Sequence, residues 1–239
     1  MKTHSQILAI SITAAVAMAL ALAVALFCIS YIEEPAPQKP TGKETSHVSE
    51  NGSSDGTGQG TTDAPTVPSY SSGLRFSTNG DGTCVLSGVG ECGDVCVVIP
   101  EYAPSGERVT SISAMAFYGC TTVTAVQIPA SVQSIGDLAF SACTNLAYIS
   151  VSEGNPCYRD VDGVLYTADL RTLLIYPPMR AGVHMTITAA TVEIRDMAFF
   201  GCTYLKRIAY VGTAEEWELI RIGSKNYSLT AASVTFEGA

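Results

Sequence analysis

Ile112-Ser-Ala-Met-Ala-Phe117-Tyr-Gly-Cys120-Thr-Thr-Val123-Thr-Ala-Val126-Gln-Ile128-Pro129 is the stretch on which the reading of this chain turns. It recurs 23 residues on as Ile135-Gly-Asp-Leu-Ala-Phe140-Ser-Ala-Cys143-Thr-Asn-Leu146-Ala-Tyr-Ile149-Ser-Val151. A third copy runs Ile194-Arg-Asp-Met-Ala-Phe199-Phe-Gly-Cys202-Thr-Tyr-Leu205-Lys-Arg-Ile208-Ala-Tyr210. Each copy sets an Ile, a Phe five residues on, a Cys three further, and two aliphatic positions at steps of three. A period in the twenties is the signature of a solenoid, in which every unit buries its apolar face against the next.

Aligning on the prolines adds two diverged units, Val97-Val-Ile99-Pro100 and Leu174-Ile-Tyr176-Pro177. Five rungs follow, with strands near 95–99, 123–128, 146–151, 172–176 and 205–210. Alternation along a strand turns Val126 and Ile128 inward and Ala125 and Gln127 outward. The Phe of each copy falls on the opposite wall, in a segment too short for more than a turn of helix. The sequence therefore predicts ladders of Ile, Phe and Cys.

Both ends of such a stack need covering. Leu74-Arg-Phe76 and Cys84-Val-Leu86 flank Asn79-Gly-Asp-Gly82, a hairpin signal at the first rung. Ala214-Glu-Glu-Trp217-Glu-Leu-Ile220-Arg221 reads as a short helix at the other end, with Trp217 and Ile220 on one face. Between the hairpin and the repeats, Gly88-Val-Gly90-Glu-Cys-Gly93 matches G-x-G-x-x-G. It reads as a turn and not a nucleotide site, because a strand, Asp94-Val-Cys96-Val-Val-Ile99, follows where a helix would be needed.

Upstream, the composition changes. Ile7 to Ile29 has no charged residue and no Pro or Gly. At 1.5 Å per helical residue it reaches roughly 30 Å, a membrane-spanning length. Lys2 precedes it and Glu33 and Glu34 follow, so an uncleaved signal anchor with the remainder outside is expected. The alternative is cleavage as a signal peptide, whose apolar core is usually about 7–15 residues. The Gly/Ser/Thr/Pro-rich stretch that follows reads as a disordered tether, reaching roughly 35 Å root-mean-square. The expected organisation is a cytoplasmic tail (1–6), a transmembrane segment (7–29), a linker (30–72) and the repeat domain (73–239). A net charge of -9 with no Lys/Arg cluster argues against nucleic acid as a partner.

The pattern Ile-x-x-x-Ala-Phe-x-x-Cys-x-x-Leu-x-x-Ile-x-Ile-Pro resembles the BspA-like leucine-rich repeat of bacterial surface proteins. The resemblance covers about residues 74–237. It includes Asn155-Pro-Cys157-Tyr…Asp162-Gly163-Val-Leu165-Tyr166…Leu174-Ile-Tyr176-Pro177, similar to a longer unit of that family, and the closing Gly212-Thr-Ala-Glu-Glu-Trp217 with Val234-Thr-Phe236. It implies a mostly-β solenoid, and adhesion to host or matrix proteins or contact between cells.

Chemistry is sparse. Cys120, Cys143 and Cys202 share one ladder position and read as small core hydrophobes. A bridge between Cys120 and Cys143 on adjacent rungs is geometrically open, and so is one pair among Cys84, Cys92 and Cys96, with the pairing undetermined. No metal site is expected from one Cys-x3-Cys pair and the repeat domain's single His184, which reads as lying in a solvated turn. Asp160-Val-Asp162-Gly163 lacks the bidentate carboxylate of a calcium loop and reads as a turn. Asn51-Gly-Ser53 and Asn226-Tyr-Ser228 match the glycosylation pattern. Without a nucleophile motif, neither an enzyme nor a cofactor is expected.

The outward strand positions remain: Cys96, Val98, Ala125, Gln127, Tyr148, Ser150, Leu173, Ile175, Arg207 and Ala209. They are less polar than a solvated face, and Tyr and Arg often carry binding energy. The expected binding site is Ala125, Gln127, Tyr148, Ser150, Leu173, Ile175, Arg207 and Ala209, with an extracellular protein or glycan as partner. The alternative is an envelope scaffold without a dedicated ligand.

Overall fold

In the computed structural model residues 70–238 are described; the expected tail, the apolar segment 7–29, linker residues 30–69 and Ala239 lie outside them. Among the described residues no helix is long and apolar enough to cross a membrane. In chain order the first strands are β1 (Arg75–Thr78), β2 (Thr83–Gly88), β3 (Cys96–Val98), β4 (Arg108–Ile112), β5 (Ala125–Ile128), β6 (Ser134–Ile135) and β7 (Tyr148–Val151). A meander follows, β8 (Tyr158–Val161), β9 (Val164–Thr167) and β10 (Thr172–Ile175). Then come β11 (His184–Thr188), β12 (Glu193–Ile194), β13 (Arg207–Val211), α1 (Ala214–Glu218), β14 (Arg221–Ile222), α2 (Tyr227–Ala231) and β15 (Ser233–Phe236).

The strands alternate between two walls. On the first, β2, β4 and β6 are parallel, with Leu86, Ile112 and Ile135 in register. After the meander β10, β12 and β14 repeat the pattern with Leu173, Ile194 and Ile222. On the second wall β3, β5 and β7 are parallel, with Val97, Val126 and Ile149 in register. There β11, β13 and β15 carry Met185, Ile208 and Val234 in register. The second wall therefore has six strands, in two sheets of three. Parallel pairing of like positions is what a periodic sequence produces, since each aliphatic then covers its own counterpart one turn below.

The Phe-bearing segment is a stack of tight turns and not a turn of helix. Ala116, Tyr118 and Cys120 N–H groups close turns onto the carbonyls of Ser113, Met115 and Phe117. The intervening N–H groups of Met115, Phe117 and Gly119 donate to Asp137, Ala139 and Ser141 of the next rung. This alternation requires left-handed residues, found at Met115, Leu138 and Met197 (φ 59°, 57° and 57°) and at Gly119, Ala142 and Gly201 (φ 69°, 60° and 79°). The rings ride on this scaffold: Phe117 and Phe140 stack with centroids 5.0 Å apart.

The fourth rung departs from the sequence alignment. Tyr176 does not stand where Ile128 does; it takes the place of a ladder Phe. Its N–H donates to Ala198, as Phe117 does to Ala139. Its carbonyl accepts from the Cys202 thiol, as that of Phe117 does from Cys143. Its ring stacks on Phe199 at 5.2 Å. Strand β10 thus belongs to the first wall, and the second-wall strand of this rung is β11, in the segment read as a turn around His184.

The meander also divides the interior. Leu165, Leu174 and Ile175 join the core of Phe117, Phe140 and Ile149. Val164, Tyr166, Leu173 and Tyr176 join that of Phe199, Ile208 and Tyr210. Alternate residues of β9 face opposite cores, and β10, irregular between Leu173 and Ile175, contributes to both, so these strands are buried on both sides.

β1 and β2 form an antiparallel hairpin about residues 79–82. At the far end Thr213 and Glu216 make a capping box for α1. This holds Trp217 edge-on to Tyr210 at 5.3 Å, and Ile220 is buried beside it.

Candidate interaction surface

The second wall's outer side is set by alternation and by register. On its first sheet Cys96, Ala125 and Tyr148 form one row, and Val98, Gln127 and Ser150 the next. Gln127 is half-buried, with its amide 3.4 Å from the Ser152 hydroxyl. Tyr148 is half-buried against Gly163, where a Cβ would collide with its ring. Burial pushes the Tyr148 phenol up, and the charges of Asp160 and Asp162 push the same way. The Ser150 hydroxyl is buried without a protein partner.

Three expected surface residues are not on the surface. Ala125 is 2% exposed, its methyl flanked in register by the larger Cys96 and Tyr148 side chains. Leu173 and Ile175 are 0% and 5% exposed, because β10 is the partition between the two cores. Arg207 is exposed and Ala209 half-buried, but on the second sheet. The residues brought together are thus Gln127, Tyr148 and Ser150 on one sheet, and Arg207 and Ala209 on the other.

Sequence reasoning missed the outer positions of β11 and β15. His184, Thr186 and Thr188 lie beside Arg207, Ala209 and Val211, and Ser233 and Thr235 flank Arg207 and Ala209 on the other side. The signal was present as strict alternation in His184-Met-Thr-Ile-Thr188.

Arg180 joins the meander to β11. It donates from Nε to the Asp162 carbonyl (2.9 Å) and from a terminal nitrogen to that of His184 (3.3 Å). It pairs with the Asp162 carboxylate at 3.5 Å and lies over the Tyr176 ring at 5.6 Å. Asp162 and Gly163, both with positive φ, make the β8–β9 turn, and Asp160 accepts from the Val151 N–H. These carboxylates are therefore occupied in folding the loop. Among the described residues no group of three or more His, Cys, Asp or Glu could hold a metal ion.

Cys84 and Cys92 are free thiols, so no bridge joins any two of Cys84, Cys92 and Cys96. Cys120, Cys143 and Cys202 are free as well. Burial pushes the Cys143 thiol up to about 12 and raises Cys202 also. Asn226 of the glycosylation match is buried. Its carbonyl accepts from Phe199 N–H, and its amide donates to the Arg195 and Gly223 carbonyls. It ends the ring ladder by supplying the acceptor that a further rung would have offered. Asn51 lies outside the described residues.

The BspA-type leucine rich repeat region model matches this chain in six copies, at residues 102–159. Among solved structures the chain is similar to the pneumococcal vaccine antigen PcpA, at 28% identity over 50% of this chain and 28% of that one, TM-score 0.46. It is similar to a leucine rich cell surface protein from Faecalibacterium prausnitzii, at 31% identity over 48% and 29% of the two chains, TM-score 0.42. A leucine-rich repeat protein from Eubacterium ventriosum shares 24% identity over 54% of this chain and 46% of its own, TM-score 0.42. The chain spans less than a third of the first two relatives' length and under half of the third's. No curated protein matches it. The residues that match the BspA-type repeat model, 102–159, hold the first two copies of the ladder motif.

Proposed function

We propose that residues 73–239 form an extracellular binding module that engages a protein or glycan through the outer side of the second wall. Residues 7–29 tether it to the membrane and 30–72 hold it off the surface. The observation that carries this reading is compositional. In a chain of net charge -9, the six second-wall strands contain no Asp or Glu. Their outer positions instead present Gln127, Tyr148 and Arg207. Tyr and Arg are the side chains that most often anchor interfaces. Relatives described as a cell surface protein and a vaccine antigen fit a surface role.

The test is binding of the full chain to whole cells and matrix. Tyr148→Ala with Arg207→Ala should weaken it by roughly tenfold or more, the effect of losing about 1.4 kcal/mol. Unchanged binding sinks the assignment of this face. For topology, protease added to intact cells should release the repeat domain, and a protected domain would reverse the orientation.

A further inference from the structure

The two sheets of the second wall differ in charge. β3, β5 and β7 carry no ionisable group but Tyr148, whereas β11, β13 and β15 carry His184 and Arg207 and no acid. His184 and Arg207 are cross-strand neighbours in register, both exposed, on parallel strands about 4.8 Å apart. Among the described residues the ion pairs engage Arg180, Arg195 and Arg221, and neither of these two. Arg180 reaches the His184 carbonyl with its charge already met by Asp162.

Hydroxyls complete the grid. Ser233 is in register with Arg207, and Thr186 and Thr235 flank Ala209. The Ser233 and Thr235 hydroxyls donate to the carbonyls of Lys206 and Ile208, and so keep acceptor capacity. No Phe, Tyr or Trp stands at an outer position of these strands. Protein partners are gripped through aromatic anchors, which this sheet lacks. A flat row of hydroxyls beside an Arg fork suits a sugar chain bearing carboxylates, with guanidinium on carboxylate and Thr or Ser on ring hydroxyls.

We propose that the outer face of β11, β13 and β15 binds an anionic polysaccharide of the uronate class. Arg207 and His184 hold a carboxylate there, and Thr186, Ser233 and Thr235 bond the sugar hydroxyls. This rests on the second-wall reading above and names its ligand class.

The experiment presents the immobilised full chain with polygalacturonate, neutral dextran and double-stranded DNA. Polygalacturonate should bind, weaken as salt rises, and outcompete both controls. His184→Ser with Arg207→Ser, and separately Thr186→Glu, should each weaken it by roughly tenfold or more, while Tyr118→Ala, exposed in the Phe-bearing turns and off this wall, leaves it unchanged. A thermal melt for each variant checks that the fold is retained. Equal binding of DNA reduces the site to bare charge attraction and overturns the proposal, as does dextran binding or an unaffected double variant. If cell binding needs Tyr148 and Arg207 but polygalacturonate is ignored, the ligand class falls and the binding module stands.

Discussion

At the scale of single residues, the backbone decides more than the repeating letters do. Gly136 and Gly119 look alike in the sequence and are not. A Cβ at Gly136 would sit on the backbone of Ala114, whereas Gly119 has open space and needs only a left-handed φ. Its counterpart one rung on is Ala142, in the same conformation. Gly119→Ala should therefore cost about 1 kcal/mol, and Gly136→Ala clearly more, because backbone must move. Paired thermal melts measure this; equal shifts would contradict it. Asn226→Ala strands one buried N–H and two carbonyls and should cost at least about 2 kcal/mol in urea unfolding. For the same reason Asn226 should stay unmodified in a glycosylating host, as intact mass would report. The Ile, Phe and Cys positions were readable because their chemistry repeats. The left-handed positions were not, because Met115, Leu138 and Met197 show no residue-type signal for positive φ.

At the scale of elements, the fourth rung explains why Leu173 and Ile175 are core and not candidate face. Leu174-Ile-Tyr176-Pro177 imitates Val126-Gln-Ile128-Pro129 in hydrophobicity and in its proline, and both are strands followed by a turn. What separates them is tertiary: Tyr176 finds Phe199 and Ala198, and β10 is covered from both sides. An alternation rule assigns one inner and one outer face, so it cannot foresee a strand with two inner faces. Leu173→Ala should accordingly behave as a core truncation and cost about 2–5 kcal/mol in urea unfolding. A cost near zero would restore it to the surface. Arg180→Ala removes the link between the β8–β9 turn and the start of β11. Amide hydrogen exchange should then quicken around Asp162 and His184 while Phe117 and Phe140 keep their protection.

At the scale of the whole molecule, the ladders bury groups that ionise only in alkali. The Cys143 thiol, ordinarily near 9.0, is pushed up to about 12 by burial, and Cys202, Tyr166 and Tyr176 are raised by the same cause. Above pH 9 the unfolded chain gives up thiol protons that the folded chain keeps. Unfolding therefore grows easier as pH rises from about 9 towards 12, by about 1.4 kcal/mol per pH unit for a buried thiol. Urea midpoints at pH 8 and pH 11 should show the loss, and a flat profile would refute it. The hydrogen bonds between successive turns, such as Phe117 to Ala139, also have a mechanical side. They run along the stack, from one coil to the next, and tension along the stack loads them one coil at a time. Pulled from its two ends, the domain should yield stepwise, each coil of 23 residues paying out roughly 75 Å of chain. Single-molecule stretching would then trace a staircase, and one abrupt rupture would rule this out. On the proposed reading, lengthening in steps would soften a tug on the bound partner before the grip itself had to break.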